Sequence, residues 1–255
     1  MTHCNGMSLH KKKKSKKSKK NKKQIINDEN RDPHKDALNV AFLKSLTTNK
    51  WFYLTLFVCF SMFKLHDVIG PSKSSSSSYI GFTFSFIFIL IFGHITHRLS
   101  HNLLFTEVYN NHKKCNMNAH VDCILSNVFA FLDFHRMTHH DSCVNKTPIN
   151  IFYEFMMNFL TQGGIFIIFV WFCNRCIDMR VILLWALMYA TAHNINYAII
   201  KPTVHKDHHL HDDTNYGLDI ADIIFDTKHD LNDIEDHNHM SINLLIIAAI
   251  IVYLF

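Results

Sequence analysis

Glycine and proline are scarce, with seven and four in 255 residues. A chain so poor in turn formers is ill suited to a sheet of many short strands and better suited to long helices. The seven cysteines do not amount to a disulfide framework in a chain of this type. Cys173 and Cys176 form a CxxC with no second pair, which fits a local disulfide or two thiols better than a metal knuckle. No haem, flavin or nicotinamide motif is present, and nothing at the N-terminus resembles a cleavable signal peptide. Basic charge is also absent from most of the chain. The formal charge of +5 arises from KKKKSKKSKKNKK, Lys11 to Lys23, and the remainder is mildly acidic. Residues 1–40 are therefore expected to be a disordered, Lys-rich cytoplasmic tail that meets solvent or anionic headgroups, with no nucleic acid as partner.

What the chain has in abundance is apolar residues in runs. Trp51 to Phe63 extends to about Ile69, and Tyr79 to Ile95 follows a polar GPSKSSSSS loop. Two more runs cover Ile151 to Cys173, interrupted by Thr161-Gln162-Gly163-Gly164, and Val181 to Ile200. Each approaches the roughly 20 residues that a bilayer core requires. The expected fold is thus all-α: an integral membrane helical bundle of about four transmembrane helices in residues 41–255. A histidine-rich helical cap would lie on the cytoplasmic side, because the lysine tail holds the N-terminus there and paired spans return the chain. Val121 to Phe134 is short and interrupted by Asp122, Asn127 and Asp133, so it is expected to lie on that leaflet. The closing run INLLIIAAIIVYLF is short for a span and fits an interfacial or buried helix.

Histidines gather at the ends of these runs. HRLSH places His97 and His101 four residues apart, on one helix face. HRMTHH contributes His135, His139 and His140, HKDHH contributes His205, His208 and His209, and His193 lies near the end of the fourth run. A lone HxxxH is usually two polar residues facing water. Three clusters on one side of a membrane instead suggest a metal centre, and nine imidazoles suit two ions better than one. Imidazole alone does not choose among zinc, copper, nickel and iron. Asp207, Asp212, Asp213, Asp219 and Asp222 are candidates to orient the imidazoles, with a solvated acidic loop as the plain alternative. His94 and His211 are candidate supports, whereas His112, His120, His229, His237 and His239 are expected to face solvent.

The three boxes, followed by NYG at Asn215 to Gly217 and DIIFDT at Asp222 to Thr227, resemble the membrane fatty acid hydroxylase and sterol desaturase superfamily. The likeness covers roughly His94 to Thr227. The middle box has one extra residue between its first two histidines, the gap before it is closer to that of acyl-CoA desaturases, and FDT stands where FGT is usual. The resemblance implies two iron ions per chain, held by His97, His101, His135, His139, His140, His193, His205, His208 and His209. It also implies an O2-dependent hydroxylation or desaturation of a fatty acyl chain or sterol in the endoplasmic reticulum. Electrons would come from cytochrome b5 and its reductase, or from a ferredoxin-like protein. An acyl-CoA desaturase-like enzyme, a histidine-rich metal transporter or metal-binding protein, and an inactive relative with structural zinc are the alternatives.

Overall fold

The computed structural model describes residues 32–70, 78–113, 118–133, 147–167, 177–211 and 213–255. Every regular element among them is helical. Contacts divide the chain into Met1–Val40 and Ala41–Phe255. In the first unit Asp32 and the start of helix α1 (Pro33–Thr48) are described, and the Lys11 to Lys23 run lies outside the described residues. In the second unit follow α2 (Lys50–Ile69), α3 (Tyr79–Asn102), α4 (Phe105–His112), α5 (Ala119–Leu132) and α6 (Pro148–Phe159). Then come α7 (Met179–Thr191), α8 (Tyr197–Ile200), α9 (Thr203–Leu210), α10 (Asp219–Ile224) and α11 (Ser241–Leu254).

Two of these, α2 and α3, are long and apolar enough to cross a membrane. Phe52, Leu56, Cys59, Phe60 and Phe63 recur at helical spacing and form the buried stripe of α2. Trp51, Leu54, Phe57, Val58 and Leu65 leave its opposite face apolar and exposed, and Ile80, Phe84, Ile87 and Ile91 do the same on α3. A helix that is apolar all round suits lipid on the side its neighbours do not cover. The run expected as a third span bends at Leu160–Gly164, and its residues from 168 to 173, together with the CxxC of Cys173 and Cys176, lie outside the described residues. The fourth continues from α7 through a widened turn into α8. The C-terminal run belongs to the bundle: Leu244, Ile247, Ala248 and Ile251 of α11 are buried, and α11 packs on α2 and α7.

Specific polar and aromatic contacts hold the α2, α3 and α7 ends together. Where α2 ends and α7 begins, Arg180 reaches Asp67 at 2.6 Å and Asp178 at 2.7 Å. Its guanidinium also lies over the rings of Phe63 and Phe82. At the opposite end of α2, the first amides are not capped locally. Asn238 Oδ1 accepts from Trp51 N at 3.1 Å and Phe52 N at 3.0 Å, so the C-terminal segment satisfies donors that a helix start leaves orphaned.

The bend after α6 depends on two glycines. Gly163 has φ +122°, and a Cβ there would meet Ile89 Cδ1 at 2.2 Å. A Cβ on Gly93 would meet Gln162 Oε1 at 2.1 Å, the oxygen that also accepts from Trp185 Nε1 at 3.3 Å. In both places a neighbouring side chain fills the space that a Cβ would take. Gly163→Ala is expected to cost about 2–3 kcal/mol, combining overpacking with a left-handed backbone on an L-residue. Thermal unfolding in detergent would measure it, and a loss below about 0.5 kcal/mol would contradict this account of the bend.

Candidate metal centre

The C-terminal ends of α3 and α7 meet helix α9 and the loop after it, and the buried histidines gather there. His97, His101 and His208 are 5%, 6% and 1% exposed, and one ring nitrogen of each lies within 4.8 Å of the others. Helical spacing accounts for the first pair, since His97 and His101 are one turn apart on α3. His208 comes from α9 and completes the group, with ring centroids 5.0 Å from His97 and 4.7 Å from His101.

Backbone carbonyls set the protonation of two of these rings. His97 Nδ1 donates to Tyr216 O at 2.5 Å, and His208 Nδ1 donates to Thr214 O at 2.6 Å. A carbonyl oxygen can only accept, so Nδ1 carries the proton and Nε2 of each neutral ring has the lone pair a metal needs. Metal-binding histidines are oriented in this manner from behind. The donor set of three buried imidazoles fits a divalent transition metal.

A second group lies beside the first. His205 and His209 are one turn apart on α9, with their Nε2 atoms 3.1 Å apart. His193 packs on His205 at 4.8 Å between ring centroids and stacks on Tyr189. With metal–nitrogen bonds of about 2.1 Å, neighbouring ligands on one ion stand about 3 Å apart, so His205 and His209 can share one. Adjacent positions on a helix point about 100° apart. His208 therefore turns to His97 and His101, while His205 and His209 turn to each other. His193 occupies a widened turn, Ala192–Asn196, in which the Tyr197 amide reaches back to Ala192 O. Such bulges re-aim a side chain and are frequent at functional sites.

The NYG and DIIFDT segments explain why the rings stay in place. Asp222 accepts from Tyr216 N at 2.8 Å, Gly217 N at 3.1 Å and Thr227 Oγ1 at 2.8 Å. It thereby anchors the peptide whose carbonyl holds His97. Burial pushes the Asp222 carboxyl up to about 6, against the lowering effect of these donors. His94, 3% exposed, stacks on Phe225 at 4.6 Å with Nδ1 3.6 Å from Asp222. It supports the loop rather than the first histidine group. Asp226 adopts φ +53°. Aspartate is among the few L-residues that tolerate this region. Asp226→Val is accordingly expected to lower stability by about 1–2 kcal/mol, whereas Asp226→Gly should change it by less than about 1 kcal/mol. Paired melting curves test the difference, and equal effects would refute a backbone origin.

The remaining expectations divide. His135, His139 and His140 lie outside the described residues, as does Asp212. Asp213 is exposed, and His211 stacks on exposed His229 at 4.1 Å away from the cluster. His112 and His120 are exposed as expected. His237 is not: it is 1% exposed, because the start of α2 closes over it through Asn49 and Phe52. His239 is half-buried, hydrogen-bonded to Asn196. Asp219, a candidate either to orient the imidazoles or to lie in a solvated acidic loop, is buried, paired with Lys228 and bonded to the Glu235 amide. Glu235, 6% exposed, faces the cluster, and no periodicity in its polar surroundings marks it in advance.

No family model, curated protein or solved structure matches the chain. What it can do is therefore read from its own geometry.

Proposed function

We propose that the chain is a membrane-bound diiron oxidoreductase that uses O2 to hydroxylate or desaturate a lipid. The observation that supports this best is the meeting of His97, His101 and His208 with His193, His205 and His209 in two adjoining groups at the ends of apolar helices. On this reading four helical segments cross the membrane of the endoplasmic reticulum and the histidines lie on its cytoplasmic side, joined by His135, His139 and His140. Two iron ions bound there would supply activation of O2 for attack on an unactivated C–H bond.

The chain's own residues have three tasks. The Tyr216 and Thr214 carbonyls keep His97 and His208 protonated at Nδ1, which leaves Nε2 as the nitrogen that carries the lone pair. Trp185, Met188, Leu218 and Met240 wall the space beside the cluster and exclude bulk water. The apolar outer faces of α2 and α3 keep the site at the lipid boundary, where an acyl chain or sterol can approach. A one-electron donor such as cytochrome b5 with its reductase would complete the system.

The test is lipid analysis of cells expressing the chain, alongside His205→Ala and His209→Ala. A product heavier by one oxygen indicates hydroxylation, and one lighter by two hydrogens indicates desaturation. Identical lipids from the wild type and both variants would overturn the proposal.

A further inference from the structure

Beside the histidines lies a cavity of about 20 Å3, bounded by His97 from one group, His205 from the other, Tyr189, Tyr197 and one carboxylic acid, Glu235. It has room for about one water. Oε1 of Glu235 is buried and has no hydrogen-bond partner among the described residues. Glu235 also interacts with the Tyr197 hydroxyl, and the Tyr197 ring lies 4.3 Å from that of His205. Behind it, His237 Nδ1 stands 3.7 Å from Oε1, and His237 Nε2 stands 3.7 Å from Asp219 Oδ2. Asp219 is in turn paired with Lys228. Both gaps are lengths at which a water or a small ring rotation completes a hydrogen bond. Neither His237 nitrogen has a hydrogen-bond partner among the described residues. Buried unsatisfied groups in a row call for a role, since each carries a desolvation penalty.

The chemistry proposed above supplies one. Hydroxylation joins R–H, O2, two electrons and two protons to give R–OH and water, and desaturation uses the same electrons and protons to give an alkene and two waters. The electrons come from the external one-electron donor. The protons must reach a site closed off by buried side chains. Resting on that reading, we propose that Glu235 delivers protons to the cavity beside the metal ligands and is resupplied through His237 from the Asp219 side. Glu235 releases its proton to the cavity water and becomes a carboxylate. His237 then gives it the Nδ1 proton and takes another at Nε2 from a water on the Asp219 side, so each group returns to its starting charge, and exchange of the ring proton from Nε2 to Nδ1 through water resets the tautomer for the next transfer. Burial favours the protonated acid, pushing Glu235 up to about 8, and holds His237 neutral, with its value lowered to about 3. Besides His237, Asp219, Lys228 and Tyr197, the charged or titratable groups acting on Glu235 include Asp222.

Glu235→Gln keeps the shape and removes the transferable proton. In the full chain in lipid nanodiscs it is expected to retain its metal and lower lipid turnover about 100-fold. Oxygen consumed per lipid product should rise, with peroxide released. Glu235→Asp should restore part of the turnover. The infrared band of a buried carboxylic acid at neutral pH should be present in the wild type and missing from Glu235→Gln. Equal turnover and coupling in the wild type and Glu235→Gln would overturn the relay and leave the function standing. Loss of metal from Glu235→Gln would make Glu235 a support of the cage and also overturn the relay. A metal-loaded wild type that oxidises no lipid would overturn the function, and the relay with it.

Discussion

His208→Ala is expected to remove bound metal and to lower lipid oxidation by more than about 100-fold, the upper range for losing even a group that only orients a ligand. Of the described histidines this one has the most to lose. Its ring lies 5.0 Å from His97, 4.7 Å from His101, 6.0 Å from His205 and 5.8 Å from His209, so it stands between the two groups. It is also 1% exposed, and truncation leaves a void that polar neighbours line. Elemental analysis of purified protein, with turnover measured on the same sample, checks both effects. Retention of the full metal complement would show that His208 is not a ligand. Chelation of the wild-type protein should reproduce the stability loss of His208→Ala, because metal bound to the folded state alone stabilises it by mass action.

Lys228→Met is expected to destabilise the fold by about 3–5 kcal/mol, the cost of stranding a buried charge. The Lys228 and Asp219 side chains are 1% and 2% exposed. Asp219 also accepts from Glu235 N at 3.0 Å and faces His237, so it holds the segment that precedes α11. Burial raises the Asp219 carboxyl above its usual range even with Lys228 beside it. The pair therefore recovers only part of its desolvation cost, as buried ion pairs commonly do. Lys228→Met with Asp219→Asn should recover much of the loss, because two neutral side chains replace one unpaired charge. Thermal unfolding of the single and double variants measures it. Additive losses would show that the two side chains do not interact.

Much of the fold was legible in the chain. Scarce glycine and proline pointed to helices, and the runs beginning at Trp51 and Tyr79 gave the two helices able to cross a membrane. One-turn spacing placed His97 with His101 and His205 with His209, since periodicity along a helix is a local property. The C-terminal run was read as too short to span, and it is packed into the bundle against α2 and α7.

Other features had no local signal. His237 sits in a polar, charged stretch that reads as surface, yet Asn49 and Asn238 bind that stretch to the start of α2 from more than 180 residues away. The widened turn at His193 and the left-handed Asp226 are backbone choices enforced by packing.

The amino-acid order alone determined that the chain is helical, where its long apolar runs lie and which imidazoles share a helix face, because these follow from composition and from spacing of a few residues. Tertiary structure decided that His208 parts from His209, that the Tyr216 and Thr214 carbonyls set the tautomers, and that Glu235 faces the cluster. Apart from the Thr214 carbonyl, which lies only six residues from His208, those depend on distances between segments far apart in the chain, and none is encoded by a local period.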